Sequence, residues 1–148
     1  MKSVLPVLFC AVLVACGAPK PKPRFEGNPD WIGRASGVFP APGGAGLIEG
    51  IAAAGSASAA DAAACAEVSR ILAKRLVAML PATEDAATIP HVKLMGQRIT
   101  SRWQRPEGGP AWSLCVLDRA GVSQSLSATQ MTPSLRDFLS VQVEQILQ

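Results

Sequence analysis

The sequence predicts a small α+β domain, in which a short antiparallel sheet of about three strands is packed by one long helix and completed by a C-terminal helix. Three observations predict it: residues 58–80 carry apolar side chains at helical spacing and stop at Pro81, two alternating stretches flank a turn at residues 106–110, and Thr132-Pro133 opens a final amphipathic run. In that arrangement each element buries one apolar face against another, the condition for a core in a chain of this length.

Regular structure is expected from Leu47. Leu47-Ile48-Glu49-Gly50-Ile51-Ala52-Ala53-Ala54 reads as a strand of small residues that ends at Gly55-Ser56. Ser58 then stands three residues before Asp61, the spacing of a capping box with Asp in place of Glu, so the long helix is expected to start there and run to about Leu80. Its core stripe is Cys65, Val68, Leu72, Leu76 and Met79, with Glu67, Arg70, Lys74 and Arg75 mostly elsewhere.

Residues 89–105 alternate next, but Val92 and Leu94 share one parity while Ile99 and Trp103 share the other, so a bulge is expected at Gly96-Gln97. Pro106-Glu107-Gly108-Gly109-Pro110 turns the chain and residues 111–118 return as a strand. A turn centred on Glu107-Gly108 sets Trp103 opposite Trp112, a pair worth roughly 0.5 to 1 kcal/mol beyond ordinary burial. Thr132 is the expected N-cap of the last helix and Pro133 its first residue, where a missing N–H costs nothing. Leu135, Phe138, Leu139, Val143 and Ile146 form its apolar stripe.

The segment before Leu47 is of another kind. Residues 1–15 combine a basic start at Lys2, an apolar run and small residues, the layout of a secretory signal peptide. That run is too short for a hydrocarbon layer of about 30 Å. It ends in Leu13-Val14-Ala15-Cys16, which resembles a bacterial lipobox, so Cys16 is the expected lipidation site and carries fatty acyl chains such as palmitate. Two or three such chains, at about 0.8 kcal/mol per buried methylene, hold a protein durably on a membrane. Gly17 follows Cys16 where enteric inner-membrane lipoproteins often carry Asp, so the expected address is the periplasmic face of the outer membrane.

Residues 16–46 are then a lipidated Pro/Gly-rich tether, its Pro19-Lys20-Pro21-Lys22-Pro23 segment favouring polyproline II at about 3.1 Å per residue. Within it the bulky pair Trp31-Ile32 is expected to dock on the domain, residues 47–148. The formal charge of +3 falls to +2 once Lys2 leaves with the signal, and Lys20, Lys22 and Arg24 carry much of the excess in the tether. Nucleic acid is therefore not an expected partner.

Three local patterns, in order, resemble the bacterial Lpp-twenty lipoprotein family, named for a Helicobacter surface lipoprotein and similar to the N-terminal domain of the flagellar protein FlgT. They are Pro29-Asp30-Trp31; Gly50 through Gly55-Ser56 with Asp61, Ala62, Ala63, Glu67, Ile71, Leu72 and Leu76; and residues 103–109 leading to Leu114-Cys115-Val116-Leu117-Asp118-Arg119. The likeness spans residues 28–119. It implies an envelope lipoprotein without known catalysis, sometimes tied to motility or surface exposure, and supplies no ligand.

The remaining chemistry is sparse. With Cys10 in the signal and Cys16 acylated, Cys65 and Cys115 are left, either bridged in an oxidising compartment or two buried thiols. A bridge closing that loop would contribute roughly 3 to 4 kcal/mol. His91 is the single histidine and has no second ligand at metal spacing, so no metal or cofactor is expected. No dinucleotide or phosphate-loop glycine pattern occurs, and Glu49, Glu67 and Asp118 read as solvated or salt-bridged carboxylates.

Arg98, Arg102 and Arg105 with Trp103 form the densest charged and aromatic cluster of the domain. The expectation is a non-enzymatic envelope lipoprotein acting as an interaction or structural module for another envelope protein. The alternative is a periplasmic glycan- or lipid-binding domain using the Trp103/Arg105 region, which requires a concave pocket there rather than a flat patch.

Overall fold

Four strands form the sheet, one more than the alternation alone suggests. The computed structural model describes residues 28–41, 44, 46–81 and 92–148. The expected signal peptide at 1–15, the expected lipidation site Cys16, the first part of the expected tether and His91 lie outside the described residues. Strands β1 (Gly37–Pro40), β2 (Gly46–Ala54), β3 (Arg98–Trp103) and β4 (Ala111–Leu117) are ordered β1-β2-β4-β3, and every neighbouring pair is antiparallel. The domain is α+β. Helix α1 (Ala57–Met79) lies across one face of the sheet, and α2 (Arg119–Ala128), α3 (Pro133–Ser140) and α4 (Val143–Ile146) complete the core.

The added strand comes from residues assigned above to the tether. Val38 and Phe39 place one apolar side chain on each side of a ribbon, and β1 pairs Val38 with Ile48 and Phe39 with Leu47. The domain thus begins well before Leu47.

Helix α1 is capped by Ser56 rather than Ser58: the Ser56 hydroxyl accepts from the Ala59 N–H at 3.3 Å. Asp61 therefore stands beyond the first turn and is free for another task, taken up below. The helix buries Ala60, Ala64, Val68, Ile71, Leu72 and Leu76 and stops after Met79, just ahead of Pro81. Ser113 and Cys115 of β4 bond to α1 side chains, so they and Ala111 and Leu117 form the helix-facing row of that strand. Trp112, Leu114 and Val116 occupy the opposite face.

Close contact between helix and sheet is possible because β2 has no side chain at its midpoint. A Cβ on Gly50 would collide with the Ala64 carbonyl oxygen and lie 2.9 Å from Val68 Cγ2. At the start of the same strand, a Cβ on Gly46 would collide with the Leu147 backbone just beyond α4. Disulfide-bonded Cys65 and Cys115, with Cα atoms 5.3 Å apart, join α1 to β4 on the helix-facing side.

The stretch at 89–105 differs from its expected form. β3 covers only Arg98–Trp103, and the register shift falls between Ile99 and Ser101, not at Gly96-Gln97. Gly96 instead turns the chain with φ +74° before the strand. Residues 92–95 leave the ladder because hydroxyls of α2 and its C-cap take backbone N–H groups there: Lys93 N–H donates to Thr129 Oγ1 at 3.1 Å and Met95 N–H to Ser125 Oγ at 2.9 Å.

Helix α2 itself is additional to the two expected helices. Asp118 caps it, accepting from the Gly121 N–H at 2.9 Å, and Val122 and Leu126 are its buried stripe. Thr132 and Pro133 open α3 as the sequence suggests. The expected single C-terminal helix divides at Val141-Gln142, leaving Leu135 and Leu139 buried on α3 and Val143 and Ile146 on α4.

Replacing Gly50 with Ala forces α1 away from β2, since backbone atoms of Ala64 cannot yield as a flexible side chain would. The expected loss is at least about 2 kcal/mol, at the upper part of the range for overpacked cores. Urea unfolding of the variant beside the parent checks this.

Candidate functional site

The hairpin end of the sheet brings two of the tryptophans together. Trp103 closes β3 and stands in register with Trp112 on β4, on the face away from α1. Between them the loop is fixed by its own bonds: Gly108 N–H donates to the Arg105 carbonyl at 3.0 Å, and Gln104 Nε2 donates to the Gly109 carbonyl at 2.9 Å. The turn requires Gly108 and Gly109, whose φ values are +97° and +113°.

A segment ahead of β1 crosses this same face. Pro29 and Ile32 close a turn through Ile32 N–H to the Pro29 carbonyl at 2.9 Å. Arg34 then donates to Glu49 Oε2 at 2.6 Å and holds its guanidinium 4.8 Å from the centre of the Phe39 ring. Ser36 Oγ accepts from the Ile51 N–H at 2.9 Å. Among the described residues Glu49 is the one buried charged group, 9 % exposed, so its carboxylate depends on the Arg34 partner. Trp31 and Ile32 are both half-buried.

Between this strap and the Trp pair lies a cleft of about 310 Å³, lined by Asn28, Ile32, Trp103, Arg105 and Trp112 together with the loop at 108–110. Its large apolar lining residues are Ile32, Trp103 and Trp112, and Asn28 and Arg105 are the lining residues with polar side chains. Such a site can stack a flat or ring-shaped group on indole while a planar cation takes a carboxylate or phosphate. Asn28 and Ile32 were not among the site residues legible in the sequence; the signal for them was the bulky Trp31-Ile32 pair in a proline-rich segment.

The three arginines do not act together. Arg105 lines the cleft, whereas Arg98 donates to Asp118 Oδ2 at 2.7 Å, at the cap of α2. Arg102 reaches across the helix-facing side to Asp61, with Nε 2.9 Å from Oδ1 and Nη2 2.7 Å from Oδ2. Ser113 Oγ donates to the same carboxylate at 2.6 Å. Asp61 thus joins α1, β3 and β4 at one point. Glu49, Glu67 and Asp118 each accept from an arginine, so the three carboxylates are salt-bridged to separate partners. Among the described residues no group of three or more His, Cys, Asp or Glu is placed to hold a metal ion, and no helix is long and apolar enough to cross a membrane.

These features define a small disulfide-bonded α+β domain with an aromatic cleft at one end of its sheet. Compared with known proteins, the chain matches no protein-family model and no curated protein.

The Arg102 and Ser113 hydrogen bonds hold the Asp61 carboxyl below the usual aspartate range, and the Arg98 and Gly121 N–H bonds do the same for Asp118. Because both folded-state values are depressed, their stabilisation is complete above the unfolded value of about 4 and is lost as pH falls from there through the folded values. Asp61→Asn should therefore unfold more readily in urea at pH 7 and lose less further stability than the parent between pH 5 and 2. Parallel curves for the two proteins would exclude Asp61 from the acid limb.

Proposed function

We propose that this protein is a non-enzymatic, lipid-anchored lipoprotein of the bacterial envelope whose domain is a small binding module, and that the Trp103–Trp112 cleft is the surface it uses. The single observation that carries the reading is the coincidence of two register-paired indole rings, Arg105 and the docked strap around one concavity. A concave apolar site with convergent polar groups is the ordinary form of a small-ligand pocket, and the flat patch of a protein contact lacks it. The chemistry fits a carboxylate-bearing glycan of the cell wall: sugar rings stack on indole and the acid pairs with the guanidinium.

The anchor belongs to the same reading. The apolar leader and lipobox at residues 1–16, and the ordered patterns that resemble the Lpp-twenty lipoproteins, support attachment through Cys16 to the periplasmic face of the outer membrane. The basic, proline-rich residues 19–24 then separate the lipid from the strap.

Two measurements test this. Mass spectrometry of the N-terminus from cells should find acyl chains on a terminal Cys16, and an unmodified cysteine there would remove the anchor. Full-length protein in mild detergent should be retained on purified cell wall, with Trp103→Ala, Trp112→Ala and Arg105→Ala each reducing retention about tenfold, the scale of a stacking or charge contact of 1 to 2 kcal/mol. Retention unchanged in all three would remove the glycan.

A further inference from the structure

We propose that a second site, on the opposite edge of the sheet, binds an extended acidic polypeptide segment by strand addition to β1. The groove between β1 and the C-terminal half of α1 encloses about 390 Å³ and is lined by Gly37 and Val38 on the strand side and by Arg70, Ile71, Lys74 and Arg75 on the helix side. It is distinct from the Trp cleft, which lies at the β3–β4 hairpin, and does not depend on that reading.

Three features fix the occupant. The first is backbone. β1 is an edge strand paired only with β2 among the described residues. Ile51 of β2 turns its N–H and carbonyl toward Ser36. By the alternation of an antiparallel ladder, Glu49 and Leu47 then also face β1 and bond Gly37 and Phe39, and Val38 directs its own N–H and carbonyl outward, where no strand among the described residues takes them. Pro40 shares that parity, so its missing donor falls on the outer edge, where proline is tolerated. The edge therefore offers the Val38 N–H and the carbonyls of Val38 and Pro40 to an incoming strand.

The second feature is a helix flanking an open strand edge with an apolar floor between, formed by Val38 and the buried Ile71. This is the geometry in which a peptide gains affinity from main-chain bonds and specificity from alternate side chains. The third is charge. Arg70 is held by Glu67 at 2.6 Å, while Lys74 and Arg75 have no ion pair among the described residues, so the groove wall is cationic on balance. A second copy of this chain would bring the same cations against their like, which disfavours edge-to-edge self-pairing. An acidic segment of another protein is complementary in both backbone and charge.

The test uses the full chain in neutral detergent and a blocked heptapeptide of alternating Glu and Val. The peptide should shift the amide resonances of Gly37, Val38 and Ile71, and should slow hydrogen exchange at the Val38 N–H about tenfold. Lys74→Glu with Arg75→Glu, at one exposed and one half-buried residue of the groove wall, should weaken binding about tenfold or more. The same peptide N-methylated at alternate backbone amides should not bind, and this arm leaves the protein untouched. Binding that survives N-methylation, shifts reproduced by inorganic phosphate, or uptake only by phosphatidylglycerol vesicles would each reduce the groove to a charged patch and overturn the proposal, as would no shift at all.

Discussion

The distance between α1 and the sheet is set by what is missing between them. Gly50 lets the Ala64 carbonyl approach the β2 backbone, and Ala60 and Ala64 keep the rest of the contact thin. Larger side chains then fill the volume farther along the helix, where Val68, Leu72 and Leu76 meet Ile48, Leu117 and the C-terminal helices. Because backbone meets backbone at this point, the helix has one seat on the sheet and no freedom to slide. The Cys65–Cys115 bridge and the Asp61 junction both lie on that seated face, and both require it: each spans α1 to β4 at short range.

With one face given over to α1, function falls to the edges and the other face. Leu114 and Val116 there are nearly buried, so the face is not simply open sheet. The strap at 28–36 crosses it, fixed by Arg34 on Glu49 and by Ser36 on the Ile51 backbone. That crossing makes one wall of the Trp cleft and, a few residues later, delivers the chain to the β1 edge. A single short segment therefore shapes both surfaces proposed to bind.

How much of this could be read beforehand follows from the range of the interactions. The long helix, the β3–β4 hairpin with its tryptophans in register, and the Thr132-Pro133 start all rest on contacts within a few residues, and they were legible. β1 was not: it is four residues long, and its pairing with β2 decides it rather than any period of its own. α2 was hidden for a related reason. Ser125 and the C-cap Thr129 bond the backbone of Met95 and Lys93, thirty or more positions earlier, so polar residues that read as loop are bonding across the fold. The same distance concealed the arginines' roles, since Arg102 finds Asp61 across 41 residues and Arg98 finds Asp118 across 20. The helix start differs only locally, since Ser56, two residues past the end of β2, caps α1 in place of Ser58.

The route of the strap also determines how the domain bears mechanical load. Any pull on the chain ahead of residue 28 travels along the sheet face to Arg34 before it reaches a strand, so the Arg34–Glu49 ion pair meets the force first and the short β1–β2 ladder next. The disulfide and the glycine seat lie on the far side of the sheet, off the line of traction. Tugging from the amino end would thus peel the outermost ribbon and open the aromatic cleft while leaving the cross-linked helical layer in place.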